Sequence, residues 1–182
     1  TKVSCKTTVQ VLHDDTNLYV RLESQMPAEQ RNGSLDAELV EVYLAPSTGR
    51  DIVYRFSIGP KAESKADAAL GLVSDVMDPR HGRFDPDWTG EWTADTRLEP
   101  REGRWLALLT IPHKTMEAER PASGATWRGN FGRIHAPAPD RVEPSIWSAT
   151  AGVGSLDDRD AFGELVFEGA AHSETPGREA RN

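Results

Sequence analysis

The chain has 182 residues, of which 37 % are hydrophobic and 27 % charged, with a formal net charge of −8. Those totals suit one folded domain with a full core and short tails. With no basic run anywhere they argue against nucleic acid and anionic membrane as partners, and no apolar run approaches the ~20 residues of a membrane-spanning helix.

Thr8 to His13 sets Val9 and Val11 between polar residues, a short strand. Asp14-Asp15-Thr16-Asn17 follows, four residues whose side chains can cap their own backbone in a turn. Leu18, Val20 and Leu22 then alternate with Tyr19, Arg21 and Glu23, completing a hairpin. The segment from Met26 to Ser34 is polar, holds Pro27 and Gly33, and reads as a loop. Val40, Val42 and Leu44 face inward on a third strand, with Glu41 and Tyr43 outward. After a turn at Pro46-Ser47-Thr48-Gly49, the run to Ile58 puts Tyr54, Phe56 and Ile58 on one face and Arg55 on the other. Lys61 to Pro86 is expected to be a long loop with one short helix near Ala66–Leu72, and loops of that length tend to be functional or mobile.

Four of the five tryptophans fall in the next block: Trp88, Trp92, Trp105 and Trp127. Period-two alternation at Trp92, Ala94 and Leu98, and again at Trp105, Ala107, Leu109 and Ile111, predicts two strands. Pro100 and Gly103 in their connector make them a hairpin. A sheet carrying indole rings on one face needs a second sheet to cover it, so Trp92, Trp105 and Trp127 are expected in the core. His113 to Arg120 allows two helical turns, Trp127 to Ile134 another strand, and Ser145–Ala149 and Phe162–Phe167 the last two. Eight or nine short strands with turn signals and little helix predict an all-β fold, an antiparallel β-sandwich of jelly-roll or immunoglobulin-like layout. The domain is placed at residues 1–168, and 169–182, which has no apolar face, is expected to be a disordered tail. The chain opens on Thr1 without an initiator methionine and is expected to be one piece of a larger multidomain protein. Cys5 is the single cysteine, so no internal disulfide forms.

Seven segments in order, LHDDTNLYVRLES, LVEVYLAP, YRFSIGP, WTGEWTADT, GRWLALLTIP, WRGNFGRI and AFGELVF, cover roughly Thr7 to Phe167. In sequence and spacing they resemble the carbohydrate-binding module family 9-like domain, a β-sandwich. The resemblance implies a non-catalytic module that binds oligo- or polysaccharide, attached to a secreted, periplasmic or cell-surface protein. It also implies that Glu41 is the acidic and Arg55 the basic residue of the sugar site, with the late-strand polar position at Gly132 or Arg133. The family's two sugar-clamping tryptophans map near Leu35 and Leu156, neither aromatic. A sandwich of the same ancestry that has lost its sugar site and serves as a docking surface therefore stands as the alternative.

Sugar recognition needs flat apolar faces against ring C–H groups and planar polar groups against vicinal hydroxyls. Trp88 and Trp147 lie in turn-rich segments and are the expected stacking faces, with Glu41, Arg55 and Arg133 as one polar patch. Calcium is the one cofactor left open, through Asp85 and Asp87 or through Asp157, Asp158 and Asp160. Haem is the remaining precedent in the superfamily, but Met26, Met77, Met116, His13, His81, His113 and His135 stand in no ligand motif. The sequence has no G-x-S-x-G, H-E-x-x-H or phosphate-loop motif, and no enzymatic activity is expected of it.

Overall fold

The computed structural model describes residues 5–27, 38–48, 52–60, 73–78, 83–85, 88, 90–138, 141–148 and 159–169. Eleven strands appear among them: β1 (Thr7–His13), β2 (Asn17–Gln25), β3 (Leu39–Ala45), β4 (Val53–Ile58), β5 (Val73–Asp78), β6 (Arg83–Asp85), β7 (Thr93–Glu99), β8 (Arg104–Pro112), β9 (Thr126–Ala138), β10 (Arg141–Ile146) and β11 (Gly163–Val166). They form two antiparallel sheets. The smaller has the order β1-β2-β8-β7. The larger runs β10-β9-β3-β4-β5-β6, with β11 pairing the first half of β9 beside β10. The expected all-β sandwich is what the chain adopts.

Alternation fixes which side chains fill the space between the sheets. Leu18, Val20 and Leu22 of β2 and Trp105, Ala107, Leu109 and Ile111 of β8 meet Val40, Val42, Leu44, Tyr54, Phe56, Ile58, Trp127 and Phe131 of the larger sheet. Trp92, Trp105 and Trp127 are all buried there, as expected. Asp14 closes the first hairpin: its Oδ1 accepts the backbone N–H groups of Thr16 and Asn17, and its Oδ2 accepts the Tyr19 hydroxyl. Those three bonds hold the Asp14 carboxyl at about 2, below its ordinary 3.8. The outer face of the smaller sheet is a solvated lattice in which Arg104 bridges Glu23 and Glu99.

Three expectations fail locally. The segment read as a loop up to Pro86 contains β5 and β6, which extend the larger sheet by two strands. His113 to Arg120 makes only a 3₁₀ turn, His113–Met116, because Glu117 takes a left-handed conformation (φ 50°) and ends it. The strand placed at 145–149 lies at Arg141–Ile146 instead, an edge position where Pro144 is tolerated. The helix near 66–72 and the tail beyond Gly169 fall outside the described residues. No helix among the described residues is long and apolar enough to cross a membrane.

Candidate functional site

On β3, β4 and β9 the residues that do not face the core share the outer side of the larger sheet. Cross-strand register places Glu41 between Ser57 of β4 and Gly132 of β9, and Tyr43 between Arg55 and Asn130. Both cross-strand neighbours of Glu41 are small. Its Oε2 accepts the Tyr43 hydroxyl at 3.0 Å and its Oε1 the Ser57 hydroxyl at 3.4 Å. The Arg55 guanidinium approaches the same Oε1 at 4.0 Å; the Glu41 side chain is 8 % exposed and the Arg55 side chain 27 %. Arg55 also hydrogen-bonds the Tyr43 phenol. Burial, and then the Glu41 carboxylate beside it, push the Tyr43 hydroxyl far up, so it stays protonated at any physiological pH. The cluster is thus an anion, a cation and a neutral donor-acceptor on two adjacent strands.

One flank of this face is covered by apolar packing. Arg128 of β9 donates to the carbonyls of Arg159 and Phe162, holding the turn Arg159–Ala161 in place. Phe162 then packs on Tyr43 with ring centroids 5.9 Å apart, forming a small second core with Val53. Tyr43 is therefore clamped on one side by Phe162 and on the other by Glu41, which leaves the phenol little freedom.

Of the five sequence-predicted residues, Glu41 and Arg55 come together and the other three do not join them. Arg133 is opposite Val40 in register and so points into the sandwich, on the reverse face of β9 from Glu41. There it forms a dry cluster. Its Nε and Nη2 donate to Oε2 of Glu38 at 3.1 and 2.8 Å, and His135 Nδ1 meets the other Glu38 oxygen. The Arg133 and Glu38 side chains are each 1 % exposed. The expected single patch of Glu41, Arg55 and Arg133 is corrected accordingly: a one-residue step along β9 changes the face. Trp88 is also on the core side, tilted against Tyr54 at 5.4 Å and edge-on to Phe56 at 6.3 Å. Trp147 is 52 % exposed, but it stands edge-on to the inward-facing Phe131, at the β10–β11 junction, not beside Arg55.

Tyr43, Ser57 and the Glu38–His135 partners of Arg133 were missed by sequence reasoning. Glu38 had a usable signal, since it shares the inward parity of Val40 and Val42 and an inward acid demands a buried partner. The positions near Leu35 and Leu156 lie outside the described residues, as do Asp87, Asp157 and Asp158. Among the described residues no group of three or more His, Cys, Asp or Glu side chains is placed to hold a metal ion.

No protein-family model and no curated protein matches the sequence. Solved structures match the fold. A candidate carbohydrate-binding protein from Bacteroides uniformis is 18 % identical with a TM-score of 0.63, over 90 % of this chain and 79 % of that one. A carbohydrate-binding module of family 9 from Caldicellulosiruptor kristjanssonii, in complex with glucose, is 16 % identical with a TM-score of 0.63, over 97 % and 83 % of the two chains. The cellotriose complex of such a module from the same organism gives 16 % identity, a TM-score of 0.57 and coverage of 96 % and 80 %. The sandwich of this chain is the fold that those modules share.

Proposed function

We propose that this domain is a non-catalytic carbohydrate-binding module and that the outer face of its larger sheet, around Glu41, Arg55 and Tyr43, takes the saccharide. The observation that carries the reading is the gathering of a carboxylate, a guanidinium and a phenol in one cluster on the outer face of the larger sheet. Planar carboxylate and guanidinium groups pair with vicinal hydroxyls, and a carboxylate already held by two hydroxyl donors is oriented before the ligand arrives. The solved modules of the same fold hold glucose and cellotriose, which supports glucose-type oligosaccharides as the first ligands to try. Such a module serves as one domain of a larger secreted, periplasmic or surface protein that processes polysaccharide.

Titration calorimetry with glucose, cellobiose, cellotriose and a panel of other oligosaccharides, with and without calcium, tests the reading. Saturable binding to one sugar class is expected, and Arg55→Ala should weaken it at least about tenfold, the loss of one charged hydrogen bond. Its melting temperature should barely move, because a 4.0 Å, partly exposed ion pair contributes at most about 1 kcal/mol. Arg55→Ala binding as tightly as the parent would remove the site from this face. A second reading also has an observation behind it. Glu41 is almost fully buried and held by internal donors, which suits a docking sandwich whose polar cluster only shapes the sheet. That reading predicts no heat with any sugar.

A further inference from the structure

The two sheets do not close on each other along one edge. There β1 borders the smaller sheet, and the collinear β10 and β11 border the larger. Between them lies a crevice of about 460 Å³, within the size range of small-molecule sites. Its walls are apolar: Val9 and Val11 on one side, Phe131, Leu165 and the half-exposed indole of Trp147 on the other. Trp147 is fixed at the junction. Its backbone N–H bonds the Phe131 carbonyl, and the Asn130 amide holds Ser148 through two further bonds.

The charged side chains of the crevice, among the described residues, have one sign. Arg133 and Lys6 line it, and no carboxylate of the described residues does, although the whole chain carries a net charge of −8. Arg133 is almost fully buried and spends its Nε and Nη2 on Glu38, while its Nη1 is buried without a hydrogen-bond partner. A charged N–H without an acceptor is rare in a folded interior. An acceptor arriving with a ligand satisfies it.

We propose that this crevice binds a small amphipathic carboxylate. The apolar body lies between Val9 and Trp147, and the carboxylate is received by Arg133 and Lys6. The site is on the opposite face of β9 from Glu41 and does not depend on the saccharide reading.

The probe is dodecanoate, kept below its micelle concentration, titrated against the whole chain by calorimetry and by tryptophan fluorescence. Dodecanoate is expected to bind saturably, and dodecanol at least about tenfold more weakly, since it lacks the charge that Arg133 and Lys6 recognise. Lys6 is exposed and Trp147 half-exposed, so Lys6→Glu and Trp147→Ala should fold normally. Lys6→Glu should weaken dodecanoate and leave dodecanol unchanged, Trp147→Ala should weaken both, and Arg55→Ala should alter neither. Equal affinity for acid and alcohol would overturn the proposal. So would an absence of saturable binding, or Lys6→Glu and Trp147→Ala both binding dodecanoate like the parent.

Discussion

Two acid–arginine pairs, whose acids are three residues apart on the chain, lie on opposite faces of one sheet. Glu38 and Arg133 face the sandwich interior, joined by two bonds at 3.1 and 2.8 Å and sealed from solvent. Glu41 and Arg55 face outward, 4.0 Å apart, with the guanidinium partly in water. Desolvation separates their roles. A dry pair is locked, because losing one partner strands a charge where water cannot reach it. A half-wet pair can exchange partners at little cost, which is what a binding group requires. In the first, acid and arginine stay bonded to each other; in the second, the pair itself can open.

The sharpest break of this contrast is Glu38→Gln. It leaves the Arg133 guanidinium buried without its anion and should cost about 3–5 kcal/mol, or roughly 10 °C of melting temperature for a domain of this size. Sugar binding by whatever protein remains folded should be unchanged. Replacing Glu38 and Arg133 together with methionine should recover most of the loss, because an apolar pair needs no compensating charge. Thermal unfolding of both variants checks this. A loss below about 1 kcal/mol for Glu38→Gln would mean that the pair is less dry than its burial indicates.

A second variant tests how the two faces are mechanically joined. At Gly129 of β9 an added Cβ would lie 2.8 Å from the Tyr43 carbonyl oxygen and 3.1 Å from Leu165 Cδ1. The obstruction is backbone, so β3 and β9 must separate. Gly129→Ala should therefore cost up to about 3 kcal/mol. Because Tyr43 carries the hydroxyl on Glu41, it should also weaken saccharide binding, unlike Glu38→Gln. Calorimetry and denaturant unfolding on the same preparation separate the two effects.

The contrast was half legible in the sequence. Strict alternation at Val40, Val42 and Leu44 gave Glu41 and Arg55 their outward face, and the structure agrees. The Asp14–Asn17 turn, the tryptophan hairpin and the three core tryptophans were legible for the same reason: local pattern and turn chemistry decide them. Arg133 was not. The strand reads WRGNFGRI, and with glycines at 129 and 132 the pattern leaves a one-residue ambiguity that reverses every side chain. Its partners lie 95 residues back, at Glu38, and two residues on, at His135, so only the register of β3 on β9 brings the cluster together. The strands β5 and β6 were hidden because their segment is polar and belongs to the far edge of the sheet, where little apolar surface marks a strand.

Tyr43→Phe is gentler. It removes the hydroxyl bonded to Glu41 and keeps the ring on Phe162, so the cost should be about 1.5 kcal/mol, that of one hydrogen bond to a charged group. Glu41 then keeps Ser57 and Arg55 but is less well oriented. Saccharide affinity should fall several-fold, less than with Arg55→Ala. If Tyr43→Phe weakened binding more than Arg55→Ala, the phenol rather than the ion pair would be the principal ligand contact.

The smallest effect lies away from both pairs, at Asp14, and it is read from pH rather than from affinity. The folded state holds this carboxyl at about 2 against 3.8. A depressed folded value means that the native state favours the ionised form, so the contribution is complete above the unfolded value and fades as pH falls through the folded one. Asn in its place still accepts the Thr16 and Asn17 N–H groups through its amide oxygen, but it carries no charge and turns an NH₂ toward the Tyr19 hydroxyl. Asp14→Asn should therefore melt lower than the parent by roughly 2 °C at pH 6. The gap should narrow below pH 4 and be mostly gone by pH 2, where the parent carboxyl is half protonated. Melting curves run in parallel from pH 6 to pH 2 are the check. A gap that stays constant over that range would assign the difference to the lost Tyr19 contact alone and not to the charge.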